Sequence, residues 1–357
     1  MKALFLTKGD LKEAGSRCRV YQYLPYLQSR GLECTAAPPG TLSDRPIARL
    51  LAARRSDLVM IQKRLFSRQA VRWLRRANPR LIYDFDDAIF LDRHLRSDAQ
   101  QAVRKKRLDA ALQASRLVIA GNAYLADYAR PLAREVVAIP TPVDTDRLRP
   151  APRPPLDSAR HGPARLGRGD PELVEGPPNE RVVIGWIGNR DNLEYFEEIA
   201  APLRKLLRDH HDVELRIVCD APLDLPALRS TLVQWDLNTE AAELQRFDIG
   251  IMPLPDNPFT RGKCGFKALE YMAAGAAVVC SPVGVNAEII ADGENGLLAA
   301  SARGWLEALH ALVDRPSLRA RLAAAGRRTV EERYSLSVWA PRFEEALREV
   351  AQSSSPR

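Results

Sequence analysis

The stretch that decides the fold runs from Arg261 to Gly275 and reads Arg-Gly-Lys-Cys-Gly-Phe-Lys-Ala-Leu-Glu-Tyr-Met-Ala-Ala-Gly. Short apolar runs flank it at 248–255 and 276–281, and both predict buried strands. The apolar spacing between them predicts one helix of about ten residues, with Gly275 at its carboxyl end. The segment therefore predicts a strand–turn–helix–strand unit.

The start of this helix bears on function. Gly262 and Gly265 allow the backbone to approach a ligand, and the unpaired N–H groups of the first turn carry partial positive charge. Lys263 and Lys267 add full charges there, which an anion would offset, and Glu270 follows Lys267 on the same face. These residues predict either a nucleotide-diphosphate site, with Glu270 on a ribose, or a solvated Lys–Glu pair beside a tight turn.

The composition is that of an ordinary globular protein, with 46% hydrophobic and 27% charged residues in a chain of 357. This length predicts two domains.

No apolar run approaches the ~18 residues that cross a bilayer, and the charged first eight residues predict a strand rather than a signal peptide. Five scattered cysteines without Cys-x-x-Cys spacing predict a cytoplasmic location. The histidines predict no metal site, since His210 and His211 fit the end of a helix better.

The charge is divided unevenly along the chain. Residues 1–150 hold 28 Lys and Arg against 15 Asp and Glu, a net of +13, whereas the whole chain carries +8. The basic half predicts contact with an anionic membrane surface, an anionic substrate or solvent alone. Nucleic acid is disfavoured because no binding motif or aromatic stacking platform accompanies the arginines.

Residues 1–148 alternate apolar runs with helix-like stretches, which predicts a doubly wound parallel sheet whose ligands lie beyond the strand ends. At the first strand end, Gly15 is followed by Arg17 and Arg19, which either meet an anion or lie in solvent. The predicted strands are 2–7, 32–36, 57–61, 80–83, 117–120 and 136–139, and the predicted helices run from a loop at 15–19 to about 30 and over 46–55, 67–77, 99–114 and 123–133.

Two further strand ends carry polar groups. Asp84, Asp86 and Asp87 follow one strand, and crowding of like charges favours a raised pKa in one of them. That suits a general base or a cation site, while helix capping and loop solvation are the alternative. Asn122 follows another strand and fits a helix N-cap.

The rest of the chain predicts a linker and a second domain of the same kind. Residues 149–180 are rich in Pro, Arg and Gly and predict a disordered linker. The second domain, 181–335, opens with a strand, a turn at Gly188 that carries Arg190, and a helix over 193–207. Further helices are predicted over 239–245, 302–313 and 316–333, and a closing helix with a tail occupies 336–357, with Trp339 and Phe343 as candidate anchors.

Several pieces of 180–335 occur in the order and spacing of a known family. They are Val183-Ile-Gly-Trp-Ile-Gly188, Asp248-Ile-Gly-Ile-Met-Pro, the run from Gly265 to Val279, Ser281-Pro-Val-Gly284 with Glu288, and Asp292-Gly-Glu-Asn-Gly-Leu-Leu. On these residues the chain resembles the GT-B glycosyltransferases of family 4, the "glycosyl transferases group 1". The first half resembles them loosely, at Gly15, the Asn122 turn and 139–144.

The resemblance implies two Rossmann-like, doubly wound α/β domains facing a cleft. It also implies roles for particular residues. Arg190, Lys263 and Lys267 would stabilise the departing diphosphate, and Asp86 or Asp87 would take the acceptor proton or bind its hydroxyls. The implied donor-side residues are Gly188, Glu240, Cys264, Gly265, Phe266, Glu270 and Gly284, and the implied acceptor-side residues are Gly15, Arg17, Arg19 and Asn122.

The chain departs from the family pattern at three places. Of the two family glutamates separated by seven residues, the second is Glu270, but Gly262 stands at the first position. No lysine follows Arg190 at the family spacing, and Lys63 with its neighbour Gln62 stands where the family has a histidine near the sugar.

The resemblance implies transfer of a sugar from a nucleotide diphosphate to an acceptor hydroxyl, with retention of the anomeric configuration. We expect this reaction to need neither a metal ion nor a cofactor. The expected partners are a nucleotide-sugar, a saccharide or lipid-linked acceptor of cell-surface polysaccharide or glycolipid synthesis, and an anionic membrane at the cytoplasmic face. Two alternatives stay open: a nucleotide-sugar hydrolase or epimerase, and a nonenzymatic binding or scaffold protein, which Gly262 favours.

Overall fold

The computed structural model describes residues 1–91, 97–151, 181–221 and 228–353. In these residues, twelve strands form two six-stranded parallel sheets. The half of the chain built on the first sheet is called the first domain, and the half built on the second sheet the second domain. The predicted α/β class with two doubly wound sheets is confirmed.

The first sheet has the strand order β2-β1-β3-β4-β5-β6. Its inner strands are buried along their whole length, because helices cover both faces of a parallel sheet. The strands are β1 (Lys2–Leu6), β2 (Glu33–Ala36), β3 (Leu58–Gln62), β4 (Leu81–Phe85), β5 (Leu117–Ala120) and β6 (Val136–Ala138).

The second sheet has the order β12-β11-β10-β7-β8-β9. Its strands are β7 (Val182–Gly188), β8 (Val213–Cys219), β9 (Thr231–Gln234), β10 (Ile249–Met252), β11 (Ala277–Cys280) and β12 (Leu297–Leu298).

Most of the helices connect one strand to the next, and the last three follow the final strand. Those of the first half are α1 (Ala14–Arg19), α2 (Leu24–Ser29), α3 (Pro46–Arg55), α4 (Arg68–Ala77), α5 (Asp98–Ala114) and α6 (Ala123–Ala129). Those of the second half are α7 (Ala200–Asp209), α8 (Glu240–Gln245), α9 (Pro258–Arg261), α10 (Phe266–Ala273), α11 (Asn286–Ile289), α12 (Ala302–Asp314), α13 (Pro316–Arg333) and α14 (Leu336–Gln352). Three 3₁₀-helices cover Tyr21–Tyr23, Leu42–Asp44 and Arg190–Ile199. Among the described residues, none of the helices is both long and apolar enough to cross a membrane.

Three predicted helices differ from those observed. Residues 15–19 are helical rather than a loop, and the chain to Arg30 breaks into α1, a 3₁₀ turn and α2, where Pro25 occupies the first turn. The helix predicted to reach 133 ends at Ala129, since Pro131 has no backbone N–H with which to continue the helix hydrogen bonds. The helix predicted over 193–207 begins as a 3₁₀-helix and becomes α-helical only at Ala200.

The last helix returns to the first domain. In α14, Phe343 and Leu347 are fully buried in the same core as Phe5 of β1, and the Phe343 ring stacks on Tyr23 with centroids 4.3 Å apart. The closing segment is therefore part of the first domain's core. Most of the predicted linker, 152–180, lies outside the described residues.

Replacing Phe343 with alanine should destabilise the first domain by about 3–5 kcal/mol, the usual cost of truncating a buried aromatic side chain. The same substitution at the exposed Glu345 of the same helix is the control, and it should change the free energy of unfolding by less than about 0.5 kcal/mol. Urea denaturation followed by circular dichroism measures both. Equal stability of F343A and E345A would contradict the assigned packing.

Candidate functional site

The carboxyl ends of the two sheets face each other across a cleft of about 470 Å³. Residues that follow β1, β3 and β4 line it from the first domain, and residues that follow β7, β8, β9 and β10 line it from the second. This is the edge at which parallel sheets bind ligands, because the loops and helix N-termini meet there. The residues predicted to form a site that do line the cleft are Gly15, Arg17, Asp86, Asp87, Gly188, Glu240, Lys263, Cys264, Gly265, Phe266, Lys267 and Glu270.

Helix α10 begins at this cleft. Its N-cap is Gly265, whose φ of +65° is a left-handed conformation that favours glycine, and no described side chain caps the helix. The first-turn N–H groups are therefore available for an anion. Gly275, with φ of +84°, follows the helix as predicted.

Both lysines of this loop lie on aromatic rings. Lys263 Nζ is 5.2 Å from the Phe259 ring centroid, and Lys267 Nζ is 5.7 Å from that of Trp186. The Lys267 side chain also passes over Gly188, where an added Cβ would come within 2.9 Å of Lys267 Cε. Glycine at 188 thus leaves the space through which Lys267 reaches the cleft.

Glu240 joins the two domains. Its carboxylate pairs with Arg17 Nη2 at 2.8 Å and Arg147 Nη2 at 3.1 Å, and accepts a hydrogen bond from Trp235 Nε1 at 2.8 Å. Arg17 is only 8% exposed, so the alternative of a solvated arginine is wrong. A hydrogen bond between ionised partners is shorter and stronger than a neutral one, because the opposite charges attract each other.

Glu270 lies beside this network and is 6% exposed. Burial, and to a smaller extent the neighbouring Glu240, raise the pKa of Glu270 to about 8 against the opposing charges of Arg17, Lys267 and Arg147. At neutral pH the carboxyl of Glu270 therefore keeps its proton in the absence of a ligand, and it offers both a donor and an acceptor.

The three aspartates at the carboxyl end of β4 have different partners. Asp86 and Asp87 both form ion pairs with Lys63, and the distance between Lys63 Nζ and Asp86 Oδ1 is 2.9 Å. Burial opposes the charged form of Asp87, but Lys63 and Lys263 lower its pKa to about 2. The predicted cation site is therefore wrong, since a lysine of the chain takes that place. The raised pKa predicted for one of the three aspartates is found in Asp84, whereas Asp87 is a weak base.

Asp84 points away from the cleft and pairs with Arg19. Burial raises the pKa of Asp84 although Arg19 opposes this shift. The Arg19 guanidinium is 1% exposed and also donates to the Ile139 carbonyl at 2.7 Å. The prediction that Arg19 meets an acceptor or anion is corrected: it binds the first sheet to the segment after β6.

The loop before α10 contacts the first domain closely. Asn122 caps α6 through its Oδ1, as predicted, and its amide donates to the carbonyls of Gly262 at 3.1 Å and Lys263 at 3.2 Å. Asn122 thus joins the domains rather than lining the acceptor side of the cleft. A Cβ on Gly262 would lie 2.6 Å from Ala88 Cβ, so the first domain fills the space that a larger residue would need.

Two other predicted site residues lie outside the cleft lining. The exposed Arg190 starts the 3₁₀-helix, and its backbone N–H donates to Asp220 Oδ1 at 2.8 Å. Gly284, with φ of +54°, packs against the carbonyl of Arg261, where a Cβ would approach within 2.7 Å. Neither Arg190 nor Gly284 is part of the cleft lining.

Sequence reasoning missed several lining residues, among them Glu13, Thr141 and Trp235. Glu13 caps α1 by accepting from Ser16 N at 2.6 Å. Lys63 has φ of +54°, which is uncommon outside glycine and marks a strained strand end. Lys63 directly follows β3, where the sequence comparison set it in the place of the family's histidine.

Among the described residues, the group of three or more side chains that suits a metal is His210, His310 and Asp314, outside the cleft.

Comparison with known proteins agrees with this architecture. Residues 180–315 match the family model described as Glycosyl transferases group 1. No sequence among the curated proteins matches the chain. The fold is GT-B, and the match of the second domain to the group 1 family model confirms the resemblance drawn from the sequence.

Solved structures share the whole fold. Sucrose-phosphate synthase from Thermosynechococcus elongatus superposes with a TM-score of 0.73 at 16% identity, covering 99% of this chain and 100% of the other. Anabaena HepE in complex with UDP and glucose gives 0.68 at 14% identity, covering 98% and 99%. The catalytic domain of starch synthase IV from Arabidopsis thaliana, bound to ADP and acarbose, gives 0.65 at 11% identity, covering 99% and 100%.

Replacing Glu270 with glutamine should remove a pH dependence of stability. A carboxyl whose pKa is raised in the folded state stabilises the fold below its unfolded pKa, and this contribution is lost as the pH rises through about 8. Between about pH 5 and about pH 9 the free energy of unfolding should fall more in the wild type than in E270Q, by about 1.4 kcal/mol for each unit of raised pKa. Urea denaturation across this range measures it.

The exposed Glu345 gives the matched control, because E345Q removes a carboxyl that is already in solvent. Curves of wild type and E270Q that run parallel with pH would show that Glu270 is ionised in the folded protein.

Proposed function

We propose that this protein transfers a sugar from a nucleoside-diphosphate sugar to an acceptor hydroxyl in the cleft between its domains. The single observation that carries the proposal is the start of α10, where an uncapped helix N-terminus, Lys263 and Lys267 face the same cleft as Glu270. The group 1 match of this domain and the structural neighbours solved with UDP or ADP support it.

In this proposal, the diphosphate lies at the first turn of α10. The N–H groups there and Lys267 stabilise the negative charge that develops as the sugar–phosphate bond breaks. Lys263 is shared, because Asp87 of the first domain lies close enough for Lys263 to lower its pKa. We infer that these cations supply the charge that a metal ion supplies in other transferases.

The ribose lies beside Glu270. A ribose diol both donates and accepts hydrogen bonds, and a carboxyl with a pKa of about 8 can do the same. Within the described residues, Arg17 and Thr141 line the cleft, and their buried atoms Arg17 Nε and Thr141 Oγ1 lack a hydrogen-bond partner. Buried polar groups are usually paired, so a polar ligand that reaches them would gain specificity.

Asp86 and Asp87 lie on the acceptor side in this proposal. Because Lys63 and Lys263 keep Asp87 ionised, Asp87 is suited to orient acceptor hydroxyls rather than to remove a proton. The proposal includes retention of the anomeric configuration, and its support is the match to the group 1 family model.

Nucleotide binding tests the donor site. A thermal-shift panel of UDP, GDP, ADP, TDP and CMP should show one nucleoside diphosphate that stabilises the wild type, by ~2.7 kcal/mol at ~100 times its dissociation constant. K267A and E270A should lose this response, and R303A, which removes an exposed cation on α12, should keep it. Equal responses of all variants would place the nucleotide elsewhere.

Turnover separates the proposed transferase from its rivals. Gly262 favours a nonenzymatic binding protein, because the loop offers no carboxylate there and Ala88 fills the space. The nucleotide-sugar identified by the panel should release nucleoside diphosphate only when an acceptor is supplied. Release without acceptor indicates a hydrolase, and binding without release under either condition indicates a binding protein.

The acceptor side is proposed to meet an anionic membrane at its cytoplasmic face. Helices α3, α4 and α5 pack side by side and expose Ile47, Leu51, Trp73 and Val103. No acidic residue occurs in α3 or α4, whereas Arg54, Arg55, Arg72 and Arg76 are exposed there. Apolar side chains among cations fit the interface of a bilayer rich in anionic lipid. A lipid-linked acceptor would be presented at such a surface.

Vesicle co-sedimentation tests this surface. The wild type should bind phosphatidylglycerol vesicles and not phosphatidylcholine vesicles, and added salt should weaken binding because it screens charge. The double variant I47A/W73A should bind several-fold more weakly. L232A removes an exposed leucine of the second domain and should bind like the wild type. Equal loss in both variants, or binding that ignores lipid charge, would refute the surface.

A further inference from the structure

A second cluster of titratable side chains lies on the outer side of the second domain. His210 ends α7, and His310 and Asp314 lie one turn apart on α12, which packs against α7. The Nε2 of His210 lies 3.0 Å from the Nδ1 of His310. We propose that His210, His310 and Asp314 bind a divalent transition-metal ion that joins the two helices.

The distances between the donor atoms carry the proposal. His210 Nε2 is 3.6 Å from Asp314 Oδ1, and His310 Nδ1 is 3.8 Å from Asp314 Oδ2. Zinc bonds to nitrogen and oxygen are about 2.0–2.2 Å long, so neighbouring ligand atoms of a tetrahedron lie roughly 3.3–3.5 Å apart. The two separations from His210 Nε2 bracket this value, and because the two Asp314 oxygens face different imidazoles, the carboxylate must turn so that a single oxygen approaches both rings.

The surroundings of His310 support ligation. Its other nitrogen, Nε2, faces Asp209 Oδ2 at 3.6 Å, and Asp209 in turn accepts from Lys205 Nζ at 2.9 Å. A carboxylate behind a histidine is the usual partner of a metal-binding imidazole, because it holds the ring and leaves the opposite nitrogen as a ligand.

The ligand chemistry selects the ion. Two imidazoles and one carboxylate favour Zn²⁺, Co²⁺ or Ni²⁺ over Mg²⁺ or Ca²⁺, which prefer oxygen. His210 and His310 are partly exposed and Asp314 is exposed, so solvent can supply the remaining ligand. Without a metal, the contact between His210 and His310 would be a single N–H···N hydrogen bond. Such a bond does not need the carboxylates of Asp314 and Asp209 beside it, whereas a metal site uses both.

The site would act on the second domain and not on the cleft, since its residues do not line the cleft. A bound ion would tie the carboxyl end of α7 to the last turns of α12. Because it would bind only the folded domain, it would stabilise that domain, and the stability would rise with the logarithm of the ion concentration above the dissociation constant.

Metal titration of the full chain, stripped with a chelator and dialysed, tests the proposal. One equivalent of Co²⁺ should produce the intense visible absorption of a tetrahedral site, and Zn²⁺ should displace it and raise the melting temperature. H310Q and D314N should weaken Zn²⁺ binding at least ~10-fold, and D209N about 10-fold, the usual effect of losing an outer partner.

His211 provides the matched control, because it neighbours His210 and is exposed outside the cluster. H211Q should bind Zn²⁺ like the wild type. Weak binding that falls equally in H211Q and H310Q, or binding that neither H310Q nor D314N reduces, would mean adventitious metal only and would overturn the proposal. Far-ultraviolet circular dichroism of each variant without metal checks that it is folded.

Discussion

The contact between Cys264 and Gly121 sets the geometry of the cleft. A Cβ on Gly121 would lie 2.4 Å from the Cys264 Sγ, so glycine is required for the two domains to approach this closely. The thiol donates to the Asp86 carbonyl at 3.1 Å, and burial raises the pKa of Cys264, which keeps it protonated as a donor. Asn122 adds two hydrogen bonds to the same loop. The position of α10 relative to the first domain therefore depends on this contact.

The charges of the cleft are balanced across the domains. Glu240 of the second domain is paired with Arg17 and Arg147, and Asp87 of the first domain is influenced by Lys263 of the second. Each half supplies the counter-charge of the other, so the electrostatics of the site arise only where the halves meet. A ligand with a diphosphate would compete with Asp87 for Lys263, and its binding would thus be coupled to the arrangement of the domains.

Much of the architecture could be predicted from the sequence. Apolar runs gave most strands to within one or two residues, because a buried parallel strand must be apolar along its length. The run 248–255 is the exception, since it extends three residues beyond β10. The cleft and the helix α10 followed from the Gly-rich loop and its two lysines. Helix ends were less certain where Pro25 and Pro131 act, since a proline changes helix geometry locally while the apolar pattern continues across it.

The residues of the site fall into two groups: those that a local pattern predicts, and those that only packing brings together. Local spacing and the direction of parallel strands were enough to predict two α/β domains and the strand ends that face the cleft. They were also enough to predict a helix start with Lys263, Lys267 and Glu270. Only the tertiary structure decided that Arg19 is buried against Asp84, that Arg17 reaches Glu240, and that His210 meets His310. Those pairs lie far apart in the chain, and a pairing between distant residues is set by packing, which no local pattern encodes.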